Sequence, residues 1–348
     1  MTAPGHALDD WYLQNLICPH DQSNLREGHH QLVCERGHQY AIVSGVPVML
    51  VEEASPTLHV VSGSIAASKA NARDTQDALF LETLGVDEDQ RIAISEQSKN
   101  PGNNVDPVVN YLVAHTSGLM YQHLVGRLSE YPIPDIPLPF GNGASLLDIG
   151  CSWGRWCISA GRKGYQAVGI DPSLGAVLAA RRVASQLGVD GKFLVADARH
   201  LPFRQGSFDV VYSYSVIQHF GFDDVRRAMQ EACRVLAARG LCQIQLANAC
   251  GFRSLCHQVR RGFRDARGFE VRYLQPQVMR KLVQQSLTAV ELKADCYFGL
   301  GLQKGDLRFM PQWKRFLTMT SELLKRIANN IPPMSLVADS VFVVGRKA

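Results

Sequence analysis

The chain has 348 residues, 46% of them hydrophobic and 20% charged, which is enough apolar material for one large core and leaves room for a small appended module. A formal net charge of +4 is too modest to demand a nucleic-acid or membrane partner by itself, so local clustering must carry any such claim. The opening MTAPGHALDDWYLQNLICP has no basic stretch followed by an apolar run, no segment reaches the ~18 apolar residues of a membrane span, and the nine scattered cysteines suit reduced thiols; a cytoplasmic protein without disulfides is expected.

Residues 11–54 hold short β-type runs (Gln31–Cys34, Gln39–Val43, Val46–Val51) punctuated by Gly and Pro, a module too small to bury a core unaided. Residues 55–140 are polar and mixed, with predicted helices around Asp77–Leu84 and Pro107–Leu128, and they close on YPIPDIPLPFGNG, which proline forces to be extended. This stretch is read as a helical linker or lid. From residue 141 to 348, β-type and helix-type runs alternate: strand Ser145–Ile149, helix Gly154–Arg162, strand Gln166–Ile170, helix Ser173–Gln186, then strands Lys192–Ala196 and Phe208–Ser213. Helix Asp223–Ala238, strand Leu241–Ala247, helix Gln275–Gln285 and strands Ala289–Asp295 and Ser340–Gly345 complete the set. Such alternation predicts an α/β fold, a Rossmann-like, doubly wound, mostly parallel seven-stranded sheet beside the small N-terminal ribbon.

In LLDIGCSWGRW an apolar strand runs into a glycine-bearing turn and a helix start, where an open α/β sheet receives a nucleotide-like ligand. Asp171, in GIDPS, stands 23 residues after Asp148 at the end of the next strand, close to the offset at which an acidic side chain accepts from ribose hydroxyls; before Pro172 it also suits a helix cap. Asp197, in VADARHLPF, ends a third strand on the same rim. The dinucleotide fingerprint G-x-G-x-x-G is absent, because Ser152 stands where its second glycine belongs.

LLDIGCSWG, GIDPS, VADARHLPF and FDVVYSYSVIQHF, in this order, resemble the successive motifs of class I S-adenosylmethionine-dependent methyltransferases (type 11-like) over about residues 145–247. The resemblance implies that Asp148, Gly150, Cys151 and Gly154 surround the methionine part of S-adenosylmethionine, that Asp171 with Pro172 holds the ribose, and that Asp197 with Ala198 faces the adenine. It places Ser213, Tyr214 and Ser215 beside the methionine and the substrate. Ser152 departs from the family's usual third glycine. Methyl transfer needs in-line alignment and exclusion of water more than a dedicated base. His219, after the fourth strand, is the candidate base for a hydroxyl acceptor, or else a packing residue.

The pattern Cys18-Pro19-His20-Asp21, Cys34-Glu35-Arg36-Gly37-His38-Gln39-Tyr40 and Gly45-Val46-Pro47 resembles a zinc-ribbon-like module found fused to or partnering methyltransferases. Cys18, Asp21, Cys34 and His38 would then form a four-ligand zinc site, with Asp21 where a second cysteine is common. Three alternatives stay open: His20 in place of Asp21, an empty site, or cysteines that only pack.

Arg253, Arg260, Arg261, Arg264, Arg267 and Arg272 cluster beside His257, as either an anion-binding patch or a solvated face. Trp313, Phe316, Leu317, Leu324 and Ile327 have helical spacing among Lys and Arg, which suits a packed cap helix or a helix lying on a membrane surface. Three readings follow: a methyltransferase for a small-molecule, lipid-linked or glycan-type acceptor, favoured; an rRNA or tRNA methyltransferase; and a non-catalytic adenosylmethionine-binding scaffold. Peripheral membrane contact stays open.

Overall fold

The computed structural model describes residues 8–51, 59–70, 78–99, 104–117, 119–299 and 301–348. After helix α1 (Asp10–Asn15), the glycine-punctuated runs form an antiparallel meander, β1 (Leu25–Gly28), β2 (Gln31–Cys34), β3 (Gln39–Val43) and β4 (Val46–Met49). Three helices follow, α2 (His59–Ala70), α3 (Glu88–Ser98) and α4 (Pro107–Ser117), with 3-10 turns at Leu81–Thr83 and Leu119–Leu124. The helix expected from Asp77 thus appears only as the first of these turns, and its first residue lies outside the described residues.

The α/β region comprises β5 (Ser145–Ile149), α5 (Arg155–Arg162), β6 (Gln166–Asp171), α6 (Leu174–Gln186), β7 (Gly191–Ala196), β8 (Phe208–Tyr214), α7 (Phe222–Val235) and β9 (Leu236–Ala247). It ends with α8 (Phe252–Arg260), α9 (Pro276–Val283), β10 (Thr288–Cys296), α10 (Gln312–Asn330), α11 (Pro332–Ser335) and β11 (Ser340–Arg346). Helix α7 stops three residues before the predicted Ala238, because fully buried Leu236 already pairs with Phe208 in the sheet.

The expected Rossmann-like sheet is present in the order β7-β6-β5-β8-β9-β11-β10, with only β11 running against its neighbours. The strand count, however, is eleven and not seven: β4 lies parallel beside β7 (Val48 opposite Val195, Met49 opposite Ala196), so the ribbon extends the sheet. Every residue of β4 is buried, as suits a strand covered on both faces, and its addition saturates the backbone groups that an edge at β7 would expose.

Alternation along the strands sorts the core into two layers. Leu147, Ile149, Val168 and Ile170 point to the face that also receives Tyr12, Leu16 and Leu32 of the N-terminal module. Leu146, Trp156, Tyr212 and Phe342 point to the other, beneath α4 and the proline-rich strap. Carbonyls of Ile136 and Leu138 accept from Lys163 Nζ (2.6 and 3.2 Å), and Ile136 N–H donates to Ser159 Oγ (2.9 Å), which lashes the strap across α5.

Candidate cofactor and acceptor site

The strand order reverses at β5, flanked by β6 and β8, and a ligand of an open α/β sheet lies outside the carboxyl ends of the strands at this point. Here the chain places Asp148, Gly150 and the turn to α5. Gly150 has φ +77°, and a Cβ there would collide with Val216. Gly154, at φ +81°, is the N-cap of α5 and sits close against Ala180 and Phe193. Ser152, in the place of a usual glycine, takes the same left-handed conformation at φ 48° and donates its N–H to Asp171 Oδ2 (3.0 Å). The glycine loop's geometry therefore survives the serine, at a cost of about 1 kcal/mol of local strain.

Asp148 is fully buried; Cys157 Sγ donates to its Oδ2 (3.4 Å), while Oδ1 has no partner. Burial lifts its carboxyl to about 7, and neighbouring Asp171 adds to the shift. Asp171 accepts from Ser152 and Ser173 N–H (3.0 Å each), and burial raises it to about 6. Two carboxyls held above their ordinary range, one with an orphaned oxygen beside a glycine cradle, fit a ligand that brings a cation and hydroxyl donors, such as the ammonium and ribose of S-adenosylmethionine. Cys151 is buried next to Cys157, both against Gly169 of β6.

Asp197 departs from the expected convergence. It sits at the tip adjoining Asp171, but its Oδ1 accepts from Arg199 N–H (2.8 Å) and Nε (2.9 Å) and its Oδ2 from Nη2 (2.6 Å). Arg199 is buried, lies 3.3 Å from Asp224, and holds the carboxylate in an internal ion cluster. Ala198 beside it is buried. The A-R-H that follows Asp197 was the available signal for this pairing, and sequence reasoning passed over it.

The N-terminal half covers the Asp171 side of the site. Ser64 of α2 donates to Pro172 O (2.7 Å) and accepts from Leu174 N–H (3.1 Å); Thr83 accepts from Gly175 N–H (2.8 Å). These hydroxyls cap the first turn of α6, whose own cap is Ser173. A Cβ on Gly175 would strike the Leu79 and Phe80 carbonyls, so only glycine lets this cover close.

At the end of β8, Ser213 Oγ donates to Ile149 O (3.0 Å), Ser215 sits at φ +66° and accepts from Gln218 Nε2 (2.8 Å), and Tyr214 packs on Trp156 with centroids 4.6 Å apart. The Tyr214 hydroxyl donates to Asp295 Oδ2 (3.0 Å), which also accepts from Gln245 Nε2 (3.1 Å) and Ser340 Oγ (2.7 Å). Asp295, Gln245 and Ser340, which the pairing of β8, β9, β10 and β11 gathers, and Arg155 of α5, whose buried guanidinium lies 5.0 Å from the Trp156 ring and 5.8 Å from the Tyr214 ring, were not singled out from sequence. His219 stacks on Phe269 (3.8 Å), with Nδ1 2.8 Å from the Phe269 carbonyl. Burial lowers it to about 4, so the ring is neutral at physiological pH but weakly basic, and the packing role fits it better than proton abstraction.

In the ribbon, the donor atoms of Cys18, Asp21, Cys34 and His38 all lie within 4.8 Å of one another. His38 Nδ1 is 3.5 Å from Cys18 Sγ, 3.2 Å from Cys34 Sγ and 3.3 Å from Asp21 Oδ2. These separations match the edges of a tetrahedron centred ~2.0–2.3 Å from each donor, the bond lengths of zinc to N, O and S. His20 stacks on the His38 ring (4.4 Å) and stands outside this cluster.

Residues 147–244 match the family model described as a methyltransferase domain. Norajmaline N-methyltransferase of Rauvolfia serpentina is 35% identical over 96 residues, 27% of this chain and 32% of that protein. A ubiquinone biosynthesis O-methyltransferase of Brucella anthropi is 32% identical over 115 residues (33% of this chain, 45% of the relative), and a malonyl-[acyl-carrier protein] O-methyltransferase of Geobacter sulfurreducens 35% over 131 (35% and 48%). The chain thus spans less than half the length of each of these curated relatives. A solved methyltransferase of Thermotoga maritima superposes with a TM-score of 0.41 at 18% identity, covering 61% of this chain and 84% of the other. Over residues 147–244 the chain thus matches a methyltransferase domain.

Proposed function

We propose that this chain methylates a small-molecule or lipid-type acceptor with S-adenosylmethionine as donor. The observation that carries the reading is the buried, half-unsatisfied Asp148 beside Gly150 at the sheet's switch point, with Ser152 of the same turn donating its N–H to Asp171. S-adenosylmethionine, when bound, supplies an electrophilic methyl group on a sulfonium. Asp148 offers its free oxygen to the ammonium group, Asp171 offers acceptors to the ribose, and the backbone around Ala198 serves the adenine, since Asp197 is committed to Arg199. Gly150, Cys151 and Gly154 let the main chain approach closely. Ser213, Tyr214 and Ser215, with Asp295 behind Tyr214, wall the acceptor side and orient its nucleophile in line. The cover from α2 and the strap excludes water. The ribbon holds a structural zinc on Cys18, Asp21, Cys34 and His38.

The RNA reading loses its main support. Arg253, Arg261, Arg264 and Arg272 each donate to a carbonyl or to Glu270, so the cluster is largely internal bracing. Calorimetry tests the central claim: S-adenosylmethionine should bind, and Asp171→Ala should weaken binding about tenfold or more while leaving the fold intact. Absence of heat with the unaltered protein ends the proposal.

A further inference from the structure

Two helices present a row of large apolar residues to solvent. In α10 the buried positions include Thr318, Ser321 and Ala328, whereas Trp313 (60%), Phe316 (71%), Met319 (62%) and Leu323 (58%) are exposed, followed by Ile327. Their spacing of three and four residues lays them along one side of the helix. Helix α8 repeats the pattern: Ser254 is buried, while Phe252 (75%), Leu255, Val259 and, just beyond the helix, Phe263 (64%) are exposed. Scattered exposed apolar side chains need no explanation; two such rows do.

Both helices are fastened to the same point. Tyr297 N–H donates to Ser321 Oγ of α10 (2.9 Å), and the next carbonyl, Phe298 O, accepts from Arg253 Nη1 of α8 (3.1 Å). This junction directly follows β10, whose Asp295 accepts from the Tyr214 hydroxyl, so both helices are anchored beside that strand end. The flanks are basic. Most of these cations are engaged within the chain: Arg253, Arg261 and Arg272 donate to carbonyls, Arg264 pairs with Glu270, Lys314 and Arg315 donate to the Met120 and Met310 carbonyls, and Lys325 pairs with Glu322, whereas Arg260, Arg267 and Arg326 are exposed. Exposed Arg260 and Arg267 make no ion pair among the described residues. No helix of the described residues is long and apolar enough to cross a membrane.

We propose that α8, the Phe263 turn and α10 form a docking surface for an anionic phospholipid bilayer, with the apolar tips entering the interface and exposed Arg260, Arg267 and Arg326 meeting lipid phosphates. A second copy of the chain fits less well, since two-fold packing of this surface sets arginines against arginines. Large aromatic and aliphatic tips ringed by cations are what an interfacial helix needs. The choice of a lipid-type acceptor rests on the methyltransferase reading; the docking itself does not.

Flotation of the full chain with vesicles of neutral phosphatidylcholine, or the same lipid with about one third phosphatidylglycerol, tests this. Binding is expected to the anionic vesicles and to fall about tenfold in Trp313→Ser/Phe316→Ser and in Phe252→Ser/Phe263→Ser, because each pair removes two inserted side chains. Arg260→Glu/Arg267→Glu should abolish the preference for anionic lipid. Unchanged thermal unfolding and unchanged S-adenosylmethionine calorimetry in the same variants show that neither fold nor cofactor site has moved. Absence of vesicle binding overturns the proposal, as does a stable dimer that the serine variants dissolve. Vesicle binding without S-adenosylmethionine binding leaves the docking surface standing and removes the methyltransferase reading.

Discussion

Asp148 couples the site to pH. Its carboxyl is held at about 7 by burial, against an ordinary 3.8, so the folded ligand-free protein grips this proton more tightly than the unfolded chain does. Stability from this group is complete below pH ~4 and is lost as pH rises through about 7, because burial disfavours the carboxylate by more than the nearby Arg155 charge offsets. The midpoint of thermal unfolding of ligand-free protein should accordingly fall across that window, and Asp148→Asn should flatten the fall. Cofactor affinity should run the other way, tightening as Asp148 ionises and levelling off above about pH 7; a pH-independent affinity would count against the ammonium contact. Backbone strain yields a second pair of outcomes. Ser152→Gly should keep cofactor affinity and shift stability by no more than about 1 kcal/mol, since the gain from relieved left-handed strain is offset by unfolded-state entropy. Gly150→Ala, at φ +77° and against Val216, should cost about 2 kcal/mol or more and abolish binding in calorimetry. Residue types at the glycine loop and at Asp171 were legible because the turn after a first β-strand admits few alternatives. Asp295 and Arg155 were not, because strand pairing surrounds Asp295 and the packing of α5 on β8 sets Arg155 beside Tyr214.

At the level of elements, the ribbon is more than a metal-stapled appendix. Leu16, Leu32 and Tyr40 belong to the same apolar cluster as Leu147 and Val168, Tyr12 donates its hydroxyl to Phe193 O (2.8 Å), and β4 pairs with β7. Zinc is expected to copurify at about one equivalent, with less than roughly a tenth counting against the site. Stripping it with a chelator, or Cys34→Ser, should lower the unfolding midpoint while most far-UV circular dichroism persists, because packing on the sheet outlasts the metal. Collapse of the whole chain on chelation would show that the shared core is weaker than the contact pattern implies. Two other elements changed meaning between pattern and fold. The helix spacing of Trp313, Phe316, Leu317, Leu324 and Ile327 predicted a packed face, yet only Leu317 and Leu324 touch the core while Trp313 and Phe316 face outward. The extended YPIPDIPLPFGNG segment proved to be a strap buried across α5, with Ile136 and Leu138 inside the core.

For the molecule as a whole, one continuous sheet predicts one cooperative transition. Calorimetric unfolding should show a single peak at neutral pH, with the ribbon, the cover and the methyltransferase domain melting together; a separate early peak removed by Tyr12→Phe would mark the ribbon as an independent unit. The alternation of strands and helices, the glycine turn and the order of the acidic strand ends can be read from residue order, and the ribbon's four ligand candidates from its resemblance to a zinc-ribbon-like module. The first three follow from rules of period and turn geometry that act within a few dozen residues. Long-range packing was needed to place β4 in the sheet, to turn Asp197 to Arg199, to bring Tyr214 to Asp295, and to leave rows of large apolar residues on two helices facing outward. These depend on which surfaces meet across more than a hundred residues of chain or within an ion cluster, and no local period encodes such encounters.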